Sequence, residues 1–389
     1  MEGSEAMHVC SVGDNGNGFW QKLDQIRKDL GIEVVFSCHD EELIQNPETK
    51  EIVGAYTLIG DDKARKAVIM TIGGFEFNEE MQANYLRCYP MRGFYGWPFN
   101  TGDGFDMVTR VGARLVNMNN IIGNANAWFG DVEGGYPYAF QVTPKTQNYV
   151  MLDRNGKRWH AESSMFGPHN GWHEFTLLDD SVLADFSRIP TWLVLDKNAL
   201  EGGPIGLMKG GVMSNPAFTT SLGMALEDIP EECYGNPGWS EDNSAEIEMG
   251  WIKKGDTLEE VLNAIPEATR PNVENALATI AQYNEYCANG VDPDFGATEA
   301  SLLPVAEGPF YAYPIYPGGC TTLGGPDKNV NAQVLDLDGN VIPRLYAAGS
   351  FGNFQRHTYG ISGGGNGENM VWGRIAARHA SGLTPWDAA

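Results

Sequence analysis

The stretch that decides the fold is a short strand pattern, a glycine-rich loop and a helical pattern near the C-terminus. These are Arg344–Gly349 (RLYAAG), Gly360–Gly367 (GISGGGNG) and Glu368–Ala380. A strand followed by glycines and a helix N-terminus offers free backbone N–H groups at the positive end of the helix dipole. Such a site suits a phosphate, a carboxylate or the electron-rich edge of a flavin ring. A flexible linker or an ordinary tight turn is the alternative interpretation.

The segments around this stretch favour a compact α/β unit. Gln333–Leu337 and Val341–Ile342 flank Asp338-Gly339, which is a strong hairpin signal. At the other end of the chain, apolar spacing predicts a helix over Phe19–Leu30, and β-branched residues predict a strand over Ile32–Phe36. A strand over Glu51–Ile59, a turn at Gly60-Asp61-Asp62 and a strand over Lys66–Thr71, which leads into Gly73-Gly74, complete the unit.

The middle of the chain differs in texture and predicts a second domain of mixed α+β type. From about Gly93 to Pro304, tryptophan, proline, asparagine and glycine are dense and hydrophobic periodicity is poor. Two helices are predicted late in this stretch. One covers Thr257–Ile265 with Asp256 as its N-cap, and the other covers Asn272–Cys287 and stops at Gly290.

Composition excludes several classes of protein. The 389 residues include 26 lysines and arginines against 51 aspartates and glutamates, a net charge of -25 that repels nucleic acids and anionic lipid headgroups. No apolar run approaches the roughly 20 residues of a membrane span, and Met1–Gly18 lacks the features of a secretion signal. The six cysteines are scattered, which is typical of reduced thiols in a cytoplasmic protein.

The motifs, taken together, resemble the fumarate reductase and 3-ketosteroid dehydrogenase superfamily of FAD-dependent oxidoreductases. The resemblance is carried, in chain order, by Thr71–Phe75 (TIGGF), Thr101–Gly104 (TGDG), Tyr283–Glu285, Gly290–Asp292, Asp294–Gly296, Gly308–Ala312, Thr322–Gly325, Asn331–Asp336, Leu345–Gly349 and Trp372–Ala376. It covers nearly the whole chain. It implies an α/β FAD-binding domain of the glutathione-reductase-like type with an inserted α+β cap domain.

One departure from this pattern affects the expected domains. The family opens with a strand, a G-x-G-x-x-G turn and a helix, and Gly13–Gly18 does not match that spacing. The chain therefore resembles an N-terminally truncated member. The expected division is residues 1–105 as the remnant of the FAD-binding domain, 106–306 as the cap and substrate domain, and 307–389 as the C-terminal part of the FAD-binding domain.

The resemblance also implies roles for individual residues. FAD is the expected cofactor, and the residues expected to bind it are Gly73, Gly74, Gly102, Asp103, Gly349, Ser350, Gly364, Gly365 and Asn366. Tyr359 and Gly363 match the tyrosine-to-glycine spacing of ketosteroid-type members, with simple packing of the loop by Tyr359 as the alternative. In that branch the tyrosine hydroxyl and the glycine N–H hold a substrate carbonyl while hydride moves between substrate and flavin N5.

The substrate groups disfavour a dicarboxylate. Cys320-Thr321-Thr322 stands where fumarate-type members carry histidines, and Gly360 stands where they carry an arginine. Arg356 and His357 remain candidates for another anionic group. Arg158 and Glu162 resemble a family segment near the active site, with a surface salt bridge as the alternative.

A metal site is not expected. His169 and His173 have the i, i+4 spacing of zinc ligands on a helix, but Pro168 and Gly171 argue against a helix there. Two functions follow from the sequence. The first is an FAD-dependent oxidoreductase acting on a small molecule, at a C–C bond next to a carbonyl. The second is a non-catalytic fragment or subunit that needs a separate dinucleotide-binding partner chain and exposes apolar surface for it.

Overall fold

The computed structural model describes most of the chain as a mixed α/β protein. The described residues are 15–94, 99–131, 137–142, 144–162, 171–179, 183–208, 239–353 and 364–386. Their α-helices are α1 Asn15–Asp29, α2 Glu79–Tyr85, α3 Asp103–Arg110, α4 Lys197–Leu200, α5 Ser244–Glu248, α6 Leu258–Asn263, α7 Val273–Asn289 and α8 Gly364–Ser381.

The strands precede, separate and follow these helices. In chain order they are β1 Asp40–Gln45, β2 Ile52–Thr57, β3 Gly60–Lys63, β4 Val68–Met70, β5 Gly93–Phe94, β6 Leu115–Val116, β7 Ile121–Asp131, β8 Pro137–Val142, β9 Tyr149–Leu152, β10 Leu178–Asp179, β11 Asp185–Phe186, β12 Thr191–Leu195, β13 Gly206–Met208, β14 Lys253–Gly255, β15 Phe310–Thr322, β16 Gly325–Pro326, β17 Gln333–Leu335 and β18 Val341–Ala347.

A small mixed sheet joins one strand from the N-terminal part of the chain to two strands from the C-terminal part. Its strand order is β17-β18-β4, and β18 runs parallel to β4 with Leu345 opposite Val68 and Ala347 opposite Met70. The antiparallel pair β17–β18 closes at Asp338-Gly339, so the predicted hairpin is confirmed. Helix α8 packs on β18, with Ala376 and Ala380 buried against Tyr346 and Ala332.

A larger sheet forms the middle of the molecule around β15. The order β13-β8-β7-β15-β12-β9 places β15 between β7 and β12, and β14 and β5 also pair with it. The first ten residues of β15 are buried. This sheet takes strands from each of the three sections expected from the sequence, and the division at residues 105 and 306 stays a prediction.

The predicted helices of the middle section are present, with one corrected cap. Helix α7 has Asn272 as its N-cap, and Gly290 ends it in the left-handed conformation. Helix α6 is capped by Thr257 rather than Asp256, because the Thr257 side chain accepts from the Glu260 N–H while the Glu260 carboxylate accepts in return. Helix α8 begins at Gly364, four residues before its predicted start at Glu368.

Two predictions near the N-terminus are wrong. Ile32–Phe36 forms no strand, and Val35 and Phe36 are 56% and 81% exposed. A strand requires a neighbour that accepts its hydrogen bonds, and no described strand lies beside this segment. Gly60 to Lys63 is strand β3 rather than a turn, and it pairs with β2.

Two further findings concern membranes and thiols. No helix within the described residues is both long enough and apolar enough to cross a membrane. Cys38, Cys88, Cys287 and Cys320 are free thiols, while Cys10 and Cys233 lie outside the described residues. A cytoplasmic location stays a prediction.

Candidate cofactor and active site

The glycines predicted to bind the cofactor follow two neighbouring parallel strands. Gly73 and Gly74 come after β4, and Gly349 comes after β18. The Ala348 N–H donates to the Met70 carbonyl at 3.1 Å, so the pairing continues past the ends of both strands. In open α/β sheets, ligands bind at the carboxyl ends of parallel strands. The structure therefore brings these predicted residues to one edge.

The Gly73–Gly74 turn is packed too closely to carry side chains. Gly73 has a φ of 80°, a left-handed conformation that favours glycine. A Cβ atom at Gly73 would collide with the Asn100 side chain, and one at Gly74 would collide with Thr322 Oγ1 and Glu76 Oε2. The backbone is thus held between a loop before α3 and the end of β15.

Helix α3 joins the same arrangement. Gly102, with a φ of 85°, precedes Asp103 at the helix start. A Cβ atom at Gly102 would collide with the side chains of Met81 and Phe75. The Asn78 side chain donates from Nδ2 to the Thr101 carbonyl at 2.8 Å. The predicted residues Gly102 and Asp103 therefore lie beside the Gly73–Gly74 turn.

Three phenylalanines form the floor under these segments. The Phe75 and Phe105 rings are 5.5 Å apart, and the Phe105 and Phe351 rings are 5.1 Å apart. All three side chains are buried. Because Phe351 follows Gly349 and Ser350, this stack fixes the β18 end against α3 and the double-glycine turn.

The first turns of α8 reach the same edge. Gly364, Gly365 and Asn366 are the first residues of the helix, and no acidic residue lies in that turn. Asn369 is the side-chain neighbour of Gly349, with its Oδ1 3.2 Å from where a Cβ would lie. The positive end of the helix dipole is therefore left for an electron-rich group.

Glu76 is a buried carboxyl group that sequence reasoning missed. Its side chain is 0% exposed, and Asn100 Nδ2 donates to its Oε1 at 2.6 Å. The Thr322 backbone N–H and hydroxyl both lie 3.3 Å from Oε2. Burial raises the pKa of Glu76 to about 7, against the lowering effect of these hydrogen bonds. The available signal was an acidic residue between Phe75 and Phe77, two positions after the double glycine.

Lys328 is a second buried ionisable group that was missed. Its Nζ is buried without a hydrogen-bond partner among the described residues, and it lies 4.1 Å from the centre of the Trp372 ring on α8. Burial lowers the pKa of this amine to about 8. Its Nζ also lies next to Gly352, so this amine is close to the residues that follow β18.

Arg158 and Glu162 lie in a different environment. The Arg158 guanidinium donates to Glu162 at 2.9 and 2.7 Å and to Asp292 at 3.3 and 3.0 Å. It also stacks on Tyr283, 4.6 Å from the ring centre. Burial alone would lower the pKa of Arg158, but the two carboxylates raise it. The pair forms a salt bridge that is buried rather than at the surface, and its use in substrate binding stays a prediction.

The remaining predicted residues are only partly described. Tyr359, Gly363, Arg356 and His357 lie outside the described residues, as does His169. The His173 ring faces Arg87, with Nδ1 3.4 Å from Nη1. Searching the described residues finds no group of three or more histidines, cysteines, aspartates or glutamates that could hold a metal ion.

Comparison with known proteins decides the family. A family model described as an FAD binding domain matches residues 4–367. The chain belongs to this FAD-binding family. FAD is therefore the cofactor, as expected from the sequence, and the glycine turns and helix start at one sheet edge fit an electron-rich ring that needs N–H donors.

Similar proteins are dehydrogenases and reductases. The chain is 28% identical to 3-oxosteroid 1-dehydrogenase of Mycolicibacterium smegmatis, and the match covers 85% of this chain and 56% of that protein. It is 36% identical to vinyl phenol reductase of Lactiplantibacillus plantarum, covering 82% of this chain and 61% of that protein. The chain thus spans about 60% of the length of these curated relatives.

A solved structure shows the same fold. The 3-ketosteroid Δ1-dehydrogenase of Sterolibacterium denitrificans superposes on this FAD-binding chain with a TM-score of 0.67 and 22% identity, covering 92% of this chain and 62% of that one. The α/β architecture predicted from the sequence is confirmed by this likeness.

Replacing Glu76 by glutamine is expected to flatten the pH dependence of the free energy of unfolding between pH 4.5 and about 7. In this window the folded state keeps a proton that the unfolded state has lost. Stability therefore falls as the pH rises, by about 3 kcal/mol over the window, and levels off above it. Urea unfolding across the window measures this slope. Glu80→Gln, an exposed neighbour, should keep the wild-type slope; an unchanged slope in Glu76→Gln would contradict the assignment.

Removing the Arg158 side chain is expected to cost much more stability than removing an exposed arginine. Arg158→Ala leaves the Glu162 and Asp292 side chains, 4% and 0% exposed, without their cation. The expected loss is about 3–5 kcal/mol. Arg154→Ala is the control, because its partner Asp185 is half-exposed, and about 0–1 kcal/mol is expected. Equal losses in denaturant unfolding would be inconsistent with a buried cluster.

Proposed function

We propose that this chain is the cofactor- and substrate-holding part of an oxidoreductase that adds or removes hydrogen across a C–C bond next to a carbonyl group. The observation that carries the proposal is the meeting of Gly73-Gly74, Gly349 and the start of α8 at one sheet edge. That edge brings closely packed backbone from three distant parts of the chain together.

The chain's own groups would hold the cofactor in place. The Gly74 and Ser350 turns bring the backbone close, and the first turn of α8 directs the positive end of its dipole at the electron-rich edge of the flavin. When bound, FAD supplies the centre that exchanges hydride with the substrate. The Phe75–Phe105–Phe351 stack supports this edge and excludes water beneath it.

The substrate carbonyl would be held by Tyr359 and Gly363. A tyrosine hydroxyl and a backbone N–H that converge on a carbonyl oxygen stabilise the enolate that forms as hydride moves. Two similar proteins support a small-molecule substrate, since one is named for an oxosteroid and the other for a vinyl phenol.

The end of β15 argues against a dicarboxylate substrate. Thr322 is buried, its Oγ1 accepts from the Phe75 N–H at 3.0 Å, and its hydroxyl and N–H face Glu76. Thr321 also turns its hydroxyl toward Glu76. This strand end therefore presents neutral groups directed inward, rather than cations directed at a ligand.

The first test is a Tyr359→Phe variant assayed with a ketosteroid-type enone. Turnover is expected to fall by roughly 10²–10³-fold, since one oxyanion donor is lost, while the flavin absorption band is unchanged. Tyr56→Phe removes a hydroxyl from the exposed Tyr56 side chain on β2 and should keep full activity. Wild-type turnover in Tyr359→Phe would exclude its role, and a chain that stays colourless after FAD is added would overturn the proposal for this chain alone.

A second candidate is a subunit that functions with a dinucleotide-binding partner unit. Among the described strands, β4 pairs only with β18, so its other edge is open. Ile69 and Ile72 near that edge are 36% and 43% exposed, and Val35 and Phe36 are exposed as well. An added parallel strand would cover this edge together with Ile69 and Ile72, and Val35 and Phe36 are further apolar surface that a partner unit could cover.

Replacing Val35 and Phe36 by serine tests the second candidate. If these residues meet a partner unit, the double variant should reduce self-association of the isolated chain with little change in its thermal midpoint, because both side chains are exposed. Light scattering after size-exclusion chromatography measures the change. Leu337→Ser is the control, because Leu337 is exposed on the β17–β18 loop. An equal loss of self-association in this variant would indicate nonspecific hydrophobic association instead.

A further inference from the structure

Glu76 connects three parts of the chain at the double-glycine turn. Its Oε1 accepts from Asn100 Nδ2, 24 positions away, and its Oε2 lies 3.4 Å from the Thr321 hydroxyl, 245 positions away. Its own carbonyl accepts from Gln82 Nε2 at 2.6 Å, which ties the turn to α2. Asn100, which lies against Gly73, and Thr321 and Thr322, which lie against Gly74, therefore also contact Glu76.

The groups that face this carboxyl are all uncharged. They are the Asn100 amide, the hydroxyls of Thr321 and Thr322, and the backbone N–H groups of Thr322 and of Glu76 itself. No lysine, arginine or histidine among the described residues forms an ion pair with Glu76. An ionised Glu76 would thus be a buried charge without a counter-ion, which is costly.

The hydrogen bonds donated to Glu76 favour its ionised form and burial outweighs them, while the Thr321 hydroxyl is a contact that also suits a protonated carboxyl. The single Thr321 hydroxyl hydrogen has two acceptors within reach, Glu76 Oε2 at 3.4 Å and the Thr322 carbonyl at 3.3 Å. It can serve only one of them. When Glu76 carries a proton, its O–H donates to Thr321 Oγ1 and the Thr321 hydrogen is free for the carbonyl, so both groups are satisfied.

We propose that Glu76 is a positioning residue that, in its protonated form, holds the Gly73–Gly74 turn against Thr321 and Thr322 in the geometry that receives the flavin. The inference rests on the proposed function, because it takes this turn to be part of the cofactor site. Glu76 acts through the turn and does not touch the reacting atoms.

The consequence is an FAD affinity that depends on pH. Loss of the proton places a charge beside Gly74 and weakens the contacts that fix the turn. FAD binding is then coupled to protonation, so the dissociation constant rises with pH. A rise of about tenfold between roughly pH 6 and pH 8.5 is expected, which is the effect of a one-unit difference in pKa between the free and FAD-bound chain.

The experiment measures FAD affinity by flavin fluorescence across this pH range. Wild type should show the tenfold rise. Glu76→Gln has a side chain of nearly the same size that cannot ionise, so its dissociation constant for FAD should be independent of pH. Glu80→Gln on α2 is the matched control and should follow wild type. A Glu76→Gln variant that keeps the wild-type pH profile would overturn the proposal.

A second readout works without FAD and without a variant. The Phe75 N–H donates to Thr322 Oγ1 at 3.0 Å and reports directly on the turn. Its hydrogen-exchange protection factor in wild type should fall severalfold from about pH 6 to about pH 8.5. Constant protection would overturn the role of Glu76, even if FAD binds well. If the exchange result is as expected but FAD does not bind at any pH, the proposed function fails while Glu76 is still shown to hold the turn.

Discussion

The parallel pairing of β4 with β18 is the contact on which the candidate site depends. It brings Met70 beside Ala347, so that two glycine turns far apart in the sequence emerge at the same edge. Neither turn is a binding site by itself. Hydrogen bonds between the strands set the spacing of the turns, and the Phe75–Phe105–Phe351 stack holds that spacing from below. Any group bound at the edge therefore meets donors whose separation is fixed by the sheet.

The large sheet contributes to the same place through β15. This strand is buried along most of its length and ends at Thr321 and Thr322, where its last hydroxyls face Glu76. Packing at Gly318 and Gly319 leaves no room for a Cβ, because Gly93 and Gly123 lie against them. These close contacts lie within the large sheet, where β5 and β7 pair with β15. The end of β15 then meets the turn after β4 at the polar contact with Glu76.

Local signals predicted much of the fold, and distant contacts account for what they missed. Asn272, Gly290 and the Asp338-Gly339 turn act on their own neighbours, so the helix and hairpin they mark could be predicted from the sequence. Ile32–Phe36 has the composition of a strand, yet a strand exists only where another strand pairs with it. The importance of Glu76 was hidden for a related reason, since its partners are brought to it only by folding. The glycine positions expected at the site came from the family resemblance. The close packing at Gly73 and Gly74 fits that expectation, and their binding of FAD stays a prediction.

The buried Arg158 cluster and Glu76 respond to acid in opposite ways. Burial works against ionisation of Asp292, but its hydrogen bonds with Arg158 lower its pKa, so that contribution to stability is lost when the pH falls far enough to protonate it. Glu76 stabilises the fold most when it is protonated. The two groups therefore contribute opposite slopes to the pH dependence of stability, because the ionised form of Asp292 and the protonated form of Glu76 are the stabilising ones. At pH 7 the chain carries a net charge of -25. Lowering the pH protonates carboxylates, which reduces this charge and the electrostatic repulsion within the chain.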